Sequence, residues 1–400
     1  MSDSIRHIFT RSCPILKRLP YPQEGARLIK INSGRSGAQG ELALLRQIRS
    51  RAAKRSSGGL SLGIGDDCAL LRLRPGEELA VTTDLSIAGR HFRLDWHQPE
   101  SVGHRALARG LSDLAAMGAR PVAAFLSLGL PRGLTQSAGR CPAWVTRFLD
   151  GLLTLAETCN VPLAGGDLAE SRVAVADIVL AGAVPRGKAL LRSGARPGDL
   201  LYVTGTLGGA AAGLARLAEL AKHGAERRTA LKGKSLSCAV SGTDSARSSA
   251  QNAADPGQSP PIIPKGLAGL LAPHLYPEPR LAQGLWLVRH GLATAALDLS
   301  DGLSTDLAHL CEESGVAAEV TAAALPLHPG ATLEQALHGG EDYELLFTAP
   351  AAARLPRQIS GVRITKIGLI AKARPGRPTM TLVSDRGAKP LKKQGWEHFC

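Results

Sequence analysis

Six short stretches of this 400-residue chain set acids beside glycine, serine or threonine. They are Gly65-Asp66-Asp67, Thr82-Thr83-Asp84, Ser112-Asp113, Gly165-Gly166-Asp167, Asp298-Leu299-Ser300-Asp301 and Gly339-Gly340-Glu341-Asp342. Glycine next to an acid lets the backbone turn sharply and approach a ligand closely. Carboxylates gathered at strand ends repel one another, and the gathering becomes favourable when hard cations sit between them. Magnesium takes oxygen ligands in an octahedron and keeps some positions for water and phosphate oxygens. The chemistry such a set could do is therefore that of a multi-metal phosphate site. Taken singly, each stretch also reads as a solvated turn or a helix cap. Arg109 lies four residues before Asp113, and such a pair on a helix face contributes only about 0.2–0.5 kcal/mol. Six such places in a chain with 34 Asp and Glu against 48 Lys and Arg point instead to one shared site.

Other phosphate and catalytic machinery is absent. The chain has no GxxxxGK[ST] loop, no protein-kinase catalytic loop and no HExxH pair. Gly205-Thr206-Leu207-Gly208-Gly209 follows an apolar run and matches a dinucleotide fingerprint only loosely, lacking the third glycine. It reads better as an anion cradle, because free amides point outward at a helix start.

The elements that must position these acids alternate. Glu41–Ile48 reads as a short helix, Leu79–Asp84 as a buried strand ending in polar residues, and Val102–Met117 as a helix with apolar residues at 107, 111 and 114. Ala123–Leu130 is expected as a strand, Trp144–Cys159 as a helix, Val161–Gly166 as an approach to a glycine turn, and Ala176–Val184 as a strand. Asp199–Gly205 opens a second run, followed by a helix over Leu207–Ala221, a strand over Ala293–Leu299, a helix over Thr305–Ser314 stopped by Gly315, and a strand over Val362–Ile370. Each half carries a strand ending in Asp and then a helix, which hints at two related halves. The pattern is that of an α/β (α+β layered) chain. Three regions are expected: a basic, disordered extension over 1–40, an N-terminal domain over 41–185, and a C-terminal domain over 186–400. Residues 224–264, rich in Ser, Ala, Gly, Gln and Pro, read as a flexible insertion.

Hydrophobic residues make up 44% of the chain, enough for a core, and aromatics only 4%, so Ala, Leu, Val and Ile must fill it. No apolar run reaches eighteen residues, so no membrane span is expected. The net charge of +14 would suit nucleic acid or phosphorylated ligands. However, residues 1–40 hold seven Lys/Arg against two acids, and residues 222–265 seven against three, so most of the excess lies in segments that look peripheral. Aromatic interleaving is poor, and nucleic acid is not the expected partner. Seven cysteines without short metal spacing read as reduced thiols in a cytoplasmic setting. An organellar transit peptide is a second reading of the Arg-rich, acid-poor start.

The stretches Gly63–Leu71 (GIGDDCALL), Thr82-Thr83-Asp84, Gly89–Phe92 (GRHF), Leu111–Ala119 (LSDLAAMGA), Gly165-Gly166-Asp167, Leu297–Leu303 (LDLSDGL) and Gly339–Leu345 (GGEDYEL) together resemble the thiamine-monophosphate kinase family, in the family's order. The likeness runs from about Gly40 to Phe399, interrupted over 224–264. Its wider superfamily includes aminoimidazole ribonucleotide synthetase, selenophosphate synthetase and a hydrogenase-maturation protein. The resemblance implies a two-domain subunit whose N-terminal sheets pair in a homodimer, with ATP in a cleft near that interface. It implies ATP-dependent phosphorylation of thiamine monophosphate to thiamine diphosphate. Asp67, Thr82, Thr83, Asp84, Asp113, Asp167, Asp298 and Asp301 would be magnesium ligands, with Asp84, Asp113 and Asp301 positioning the reacting groups. Gly166, Asp167, Arg192 and Ser300 would meet ATP, and His91, Glu341 and Trp396 the thiamine phosphate.

Two departures from the family stand out. Arg109-Gly110 precede LSD where the family usually has Asn, and Leu168-Ala169 follow Gly-Gly-Asp where it commonly has Thr-Thr. The other readings are another ATP-dependent enzyme of the superfamily, a binding-only relative, and a basic binding protein.

Overall fold

The strand over Glu77–Ile87 and the helix over Pro99–Ala116 decide where the cleft lies. The computed structural model describes residues 41–52, 59–137, 143–236 and 260–395. All belong to one compact unit, Ala38–Cys400. Helix α1 (Glu41–Ala52) and a small antiparallel pair, β1 (Leu60–Leu62) and β2 (Leu70–Leu71), come first. Then follow β3 (Glu77–Ile87), α2 (Pro99–Ala116), β4 (Arg120–Leu130), α3 (Trp144–Thr158), β5 (Leu163–Glu170) and β6 (Val175–Pro185). The second half runs β7 (Leu200–Thr204), α4 (Gly209–Leu236), α5 (Ala268–Leu275), α6 (Leu281–His290), β8 (Ala295–Asp298) and α7 (Leu303–Ser314). It continues with β9 (Val316–Thr321), α8 (Leu333–His338), β10 (Leu345–Ala349), β11 (Gln358–Ile359), β12 (Val362–Lys372), β13 (Met380–Ser384) and β14 (Gly387–Pro390).

The first sheet has the order β3-β6-β4-β5, antiparallel except between β4 and β5. The second has the order β14-β13-β9-β12-β7-β10-β8, with β11 beside β12. Helices α2 and α3 cover one face of the first sheet. Their Leu107, Leu111, Phe148 and Leu152 join Ile178 and Leu180 of β6 in a core closed to solvent. Leu303, Leu307 and Leu310 of α7 pack on Leu201, Val203, Leu297 and Leu346 of the second sheet. Helix α2 begins with Pro99 at its first turn, where a missing N–H costs nothing. It packs on α3, β3 and β6, and also on α6 and β8 of the second layer. The residues of α2 are thereby presented to both sheets.

Three expectations need correction. Strand β3 does not end at Asp84, because Leu85, Ser86 and Ile87 go on pairing with Asp177, Ala176 and Val175. The glycines at 165–166 are not a turn, since β5 runs through them beside β4. Gly166 has φ 149°, and a Cβ there would stand 1.9 Å from the Leu126 carbonyl oxygen, so glycine is required by close approach. Helix α4 continues through residues 224–236, the first third of the expected insertion, where AERRTALKGKSL supplies strong helix formers without an apolar stripe. The remainder of that insertion over 237–259, and the extension over 1–40, lie outside the described residues.

Candidate active site

Between α2, β8 and the loops at residues 89–97 and 339–343 lies a cleft of about 580 Å³, a volume suited to a small ligand. Asp84, Asp113, Asp298, Ser300, Asp301, His91 and Glu341 all line it. Thr82 and Asp84 share the face of β3 turned to α2. The Thr82 hydroxyl donates to Asp113 Oδ2, and Arg109 Nη2 stands 3.3 Å from Asp84 Oδ1. Ser112, beside Asp113 on α2, donates to Asp298 Oδ2 at 2.7 Å and links the helix to the end of β8.

The electrostatics are those of crowded anions. Burial pushes the Asp84 carboxyl up to about 6, with Asp113 and Asp177 adding to the rise and Arg109 opposing it. Burial lifts Asp113 as well, against its hydrogen bond from Thr82 and the charges of Arg192 and Arg109. Asp298, fully enclosed, is pushed up to about 7 by burial and by Asp113, while the Ser112 hydroxyl opposes the rise.

The rest of the wall is built by two loops. Asp306, in the first turn of α7, accepts from the Asp301 and Gly302 amides at 3.0 Å and so holds the Asp301 loop. Burial pushes its carboxyl up to about 8. In the 339–344 loop, Glu341 and Tyr343 both have left-handed backbones, at φ 66° and 51°. Arg105 of α2 donates to both Glu341 oxygens, at 2.6 and 2.7 Å. Buried Glu344 accepts from the Thr204 hydroxyl at 2.6 Å and from Arg280 at 2.6 and 2.7 Å. Asp342 accepts from the Gly208 and Ala210 amides at 2.6 and 3.1 Å. The amides expected as an anion cradle at 205–209 therefore do hold an anion, but it is the chain's own Asp342.

The remaining expected site residues stand elsewhere. Thr82 touches Asp113 from behind the cleft wall. Thr83 points to the opposite face of the first sheet, with Leu79, Val81 and Leu85, which are 51%, 58% and 46% exposed. Asp167 is level with Ser127 and Asp177 in register with Leu85, so it shares that opposite face, about 14 Å from β3 at three strand spacings. Asp67 is exposed on the 63–69 segment and Gly166 lies on β5; neither lines the cleft. Arg192 does not line it either, though its charge reaches Asp113 and Asp298. Trp396 lies outside the described residues, directly after Gly395, which does line the cleft. Arg105, His97, His274, Asp306 and Arg280 were not singled out in the sequence. Only HLYPEPR, with its charged residue after a Pro pair, offered any local sign of Arg280.

Gly110, one of the two departures from the family pattern, is explained by packing: a Cβ there would meet Leu180 Cδ1 at 2.8 Å and Ile178 Cγ2 at 3.5 Å. Leu168 turns inward onto the first core, so the position after Asp167 is apolar for the same reason.

The donor set suits a hard cation. Asp84, Asp113 and Asp298 are oxygen donors whose mutual repulsion is offset by few cationic groups. Among the described residues no group of three or more acid, histidine or cysteine side chains is placed to hold a metal ion. The fit to magnesium is therefore one of donor chemistry, carboxylate oxygens with positions left for water and phosphate oxygens.

Comparison with known proteins agrees with this architecture. The family model of the AIR synthase related protein, N-terminal domain, matches residues 65–184, which span β3 through β6. The thiamine-monophosphate kinase of Escherichia coli (strain K12) is 36% identical over 375 residues, covering 91% of this chain and 99% of its own. The crystal structure of thiamine-monophosphate kinase from Stenotrophomonas maltophilia K279a is similar with a TM-score of 0.65 at 34% identity, over 88% of this chain and 98% of that one. The structure of AaThiL complexed with AMPPCP and TMP gives a TM-score of 0.59 at 27% identity, over 90% and 97%. Because the likeness extends over nearly the whole of each relative and through both sheets that flank the cleft, this chain belongs to the thiamine-monophosphate kinase family, with its AIR synthase-like fold.

Proposed function

We propose that the protein transfers the terminal phosphoryl group of ATP to the phosphate of thiamine monophosphate, giving thiamine diphosphate and ADP. The observation that carries this reading is the convergence of Asp84, Asp113, Asp298 and Asp301 in one cleft that also presents His91 and Glu341. Phosphoryl transfer demands in-line placement and charge neutralisation more than covalent catalysis. The acceptor is already an ionised phosphate oxygen, so no strong general base is needed. Asp84, Asp113, Asp298 and Asp301 would hold magnesium, which when bound neutralises the two anions that must meet. Ser300 lines the cleft for ATP, and the Arg192 fork suits bidentate phosphate contact. Glu341, His91 and Trp396 are assigned to the thiamine phosphate, Glu341 facing the cationic end of that substrate. The complex of AaThiL with AMPPCP and TMP supports the pairing of an ATP analogue with this acceptor.

Asp67, Thr83, Gly166 and Asp167 are assigned to metal or nucleotide on the resemblance alone. A homodimer is supported by the exposed apolar row Leu79, Val81 and Leu85 on edge strand β3, and would cover the face that carries Thr83 and Asp167. A domain boundary is placed near residue 185, where strands pass from the first sheet to the second. Free thiols at Cys68, Cys159 and Cys311 support a reducing, cytoplasmic setting. Among the described residues, no helix is long and apolar enough to cross a membrane.

The reading is tested by incubating the full chain with ATP, magnesium and thiamine monophosphate and separating the products chromatographically. Thiamine diphosphate and ADP in equal amounts are expected. Folded, ATP-binding protein that yields no thiamine diphosphate would overturn the substrate assignment.

A further inference from the structure

Glu341 faces the cleft from a backbone in the left-handed region, and Tyr343 repeats that conformation two residues later. Such strained positions persist only where surrounding contacts hold them. The contacts lie on the buried side of the loop. Arg105, with a side chain only 5% exposed, gives Nη2 to both carboxylate oxygens. His274, on α5 and 2% exposed, directs Nδ1 at Glu341 Oε2 from 3.5 Å. That Nδ1 and Arg105 Nε are buried polar atoms with no hydrogen-bond partner.

His97 Nδ1 lies 3.1 Å from the Arg93 amide and 3.2 Å from the Arg93 carbonyl oxygen, so these contacts admit either tautomer of the ring. His97 Nε2 is 3.0 Å from His274 Nε2, and one of the two donates to the other. The carboxylate facing His274 Nδ1 favours the arrangement in which His97 Nε2 donates and His274 carries its proton on Nδ1, toward Glu341. Burial first, and then the charge of Arg105, keep both rings well below the usual histidine range, so the neutral chain persists. Arg93 belongs to the 89–97 loop, so this relay joins one wall of the cleft to the other.

We propose that Arg105 is a positioning residue for acceptor recognition: it holds the Glu341 carboxylate at the cleft surface, with the His97–His274 pair as a second, neutral donor behind it. This rests on Glu341 meeting the cationic thiazolium or the amino group of the pyrimidine of the acceptor. Arg105 reaches both oxygens with the single nitrogen Nη2, so the carboxylate is held by a bifurcated contact from a side chain that is itself buried.

The test is steady-state kinetics with both substrates varied, on Glu341→Gln, Arg105→Met, Arg105→Lys and the Arg105→Met/Glu341→Gln double variant. Glu341→Gln and Arg105→Met are each expected to raise KM for thiamine monophosphate about tenfold or more, the scale of a charged hydrogen bond, while leaving KM for ATP within twofold. Arg105→Lys should recover part of the loss, and the double variant should be no worse than Glu341→Gln alone. An unchanged KM in Glu341→Gln would remove the substrate role of Glu341 and the proposal with it. A raised KM in Glu341→Gln with an unchanged KM in Arg105→Met would overturn the proposal alone. So would effects that multiply in the double variant, or a parallel loss for both substrates, which mark a merely structural role. If Arg105→Met does not fold, Arg105→Lys against Glu341→Gln carries the same comparison.

Discussion

At the scale of the residue, the cleft is a set of carboxylates held in a state they would not choose alone. Asp84, Asp298, Asp342 and Asp306 are all raised above the ordinary aspartate value of 3.8, to about 6, 7, 7 and 8. Between about pH 4 and 8 the folded protein therefore binds more protons than the unfolded chain, and the contribution of these groups to stability falls as pH rises through that window. Metal-free protein is expected to melt at a higher temperature at pH 6 than at pH 8, and magnesium should raise the melting temperature more at pH 8. Calorimetry at both pH values checks this; a magnesium effect independent of pH would contradict it. Gly110→Asn, which restores the family's usual residue, is expected to cost about 1–3 kcal/mol, because its Cβ would press on Leu180, and urea unfolding measures the loss. The acids themselves were legible: four of the marked aspartates meet in one cleft because acid beside glycine or serine is a local signal. Arg105, Asp306 and the His97–His274 pair were not, since each is defined by a partner that is distant in sequence.

At the scale of the element, the loop after α8 is clamped to β7 and α6 by Glu344. Its side chain is 4% exposed and is held by Arg280 and Thr204. Arg280→Met would leave that carboxylate buried with one hydroxyl, and a loss of about 3–5 kcal/mol is expected in urea unfolding, more than for Arg280→Lys. A loss below 1 kcal/mol would show that the pair does not hold the loop. Helices with a strong apolar stripe were readable almost to their ends, and Gly315 does close α7 with φ 65°. Strand ends were less so, because pairing rather than composition carried β3 past Asp84 and β5 through its glycines. Strand β10 is buried at every position and too short to show a period, while β13 is mostly half-buried and β14 exposed, and neither shows one.

At the scale of the whole molecule, the first sheet is covered by α2 and α3 on one face, and part of the other face stays open along β3. If a second copy covers it, Val81→Lys should shift the protein from dimer to monomer in light-scattering chromatography. A wild-type protein that elutes as a monomer at micromolar concentration would remove the dimer from the account. The two-layer α/β character was legible from alternation alone. The meeting of the layers at Asp113 and Asp298 was not, because it depends on how α2 packs across both sheets. The central claim is that this meeting makes a cation-dependent phosphoryl-transfer site. Its most direct test is the rate of thiamine diphosphate formation against magnesium concentration, in the wild-type chain and in Asp84→Asn. Formation that requires magnesium, and falls at least about a hundredfold in an Asp84→Asn variant that remains folded, is expected from the loss of one preorganised charge in a buried site. Equal rates in the two proteins, or turnover that persists in a chelator, would contradict it.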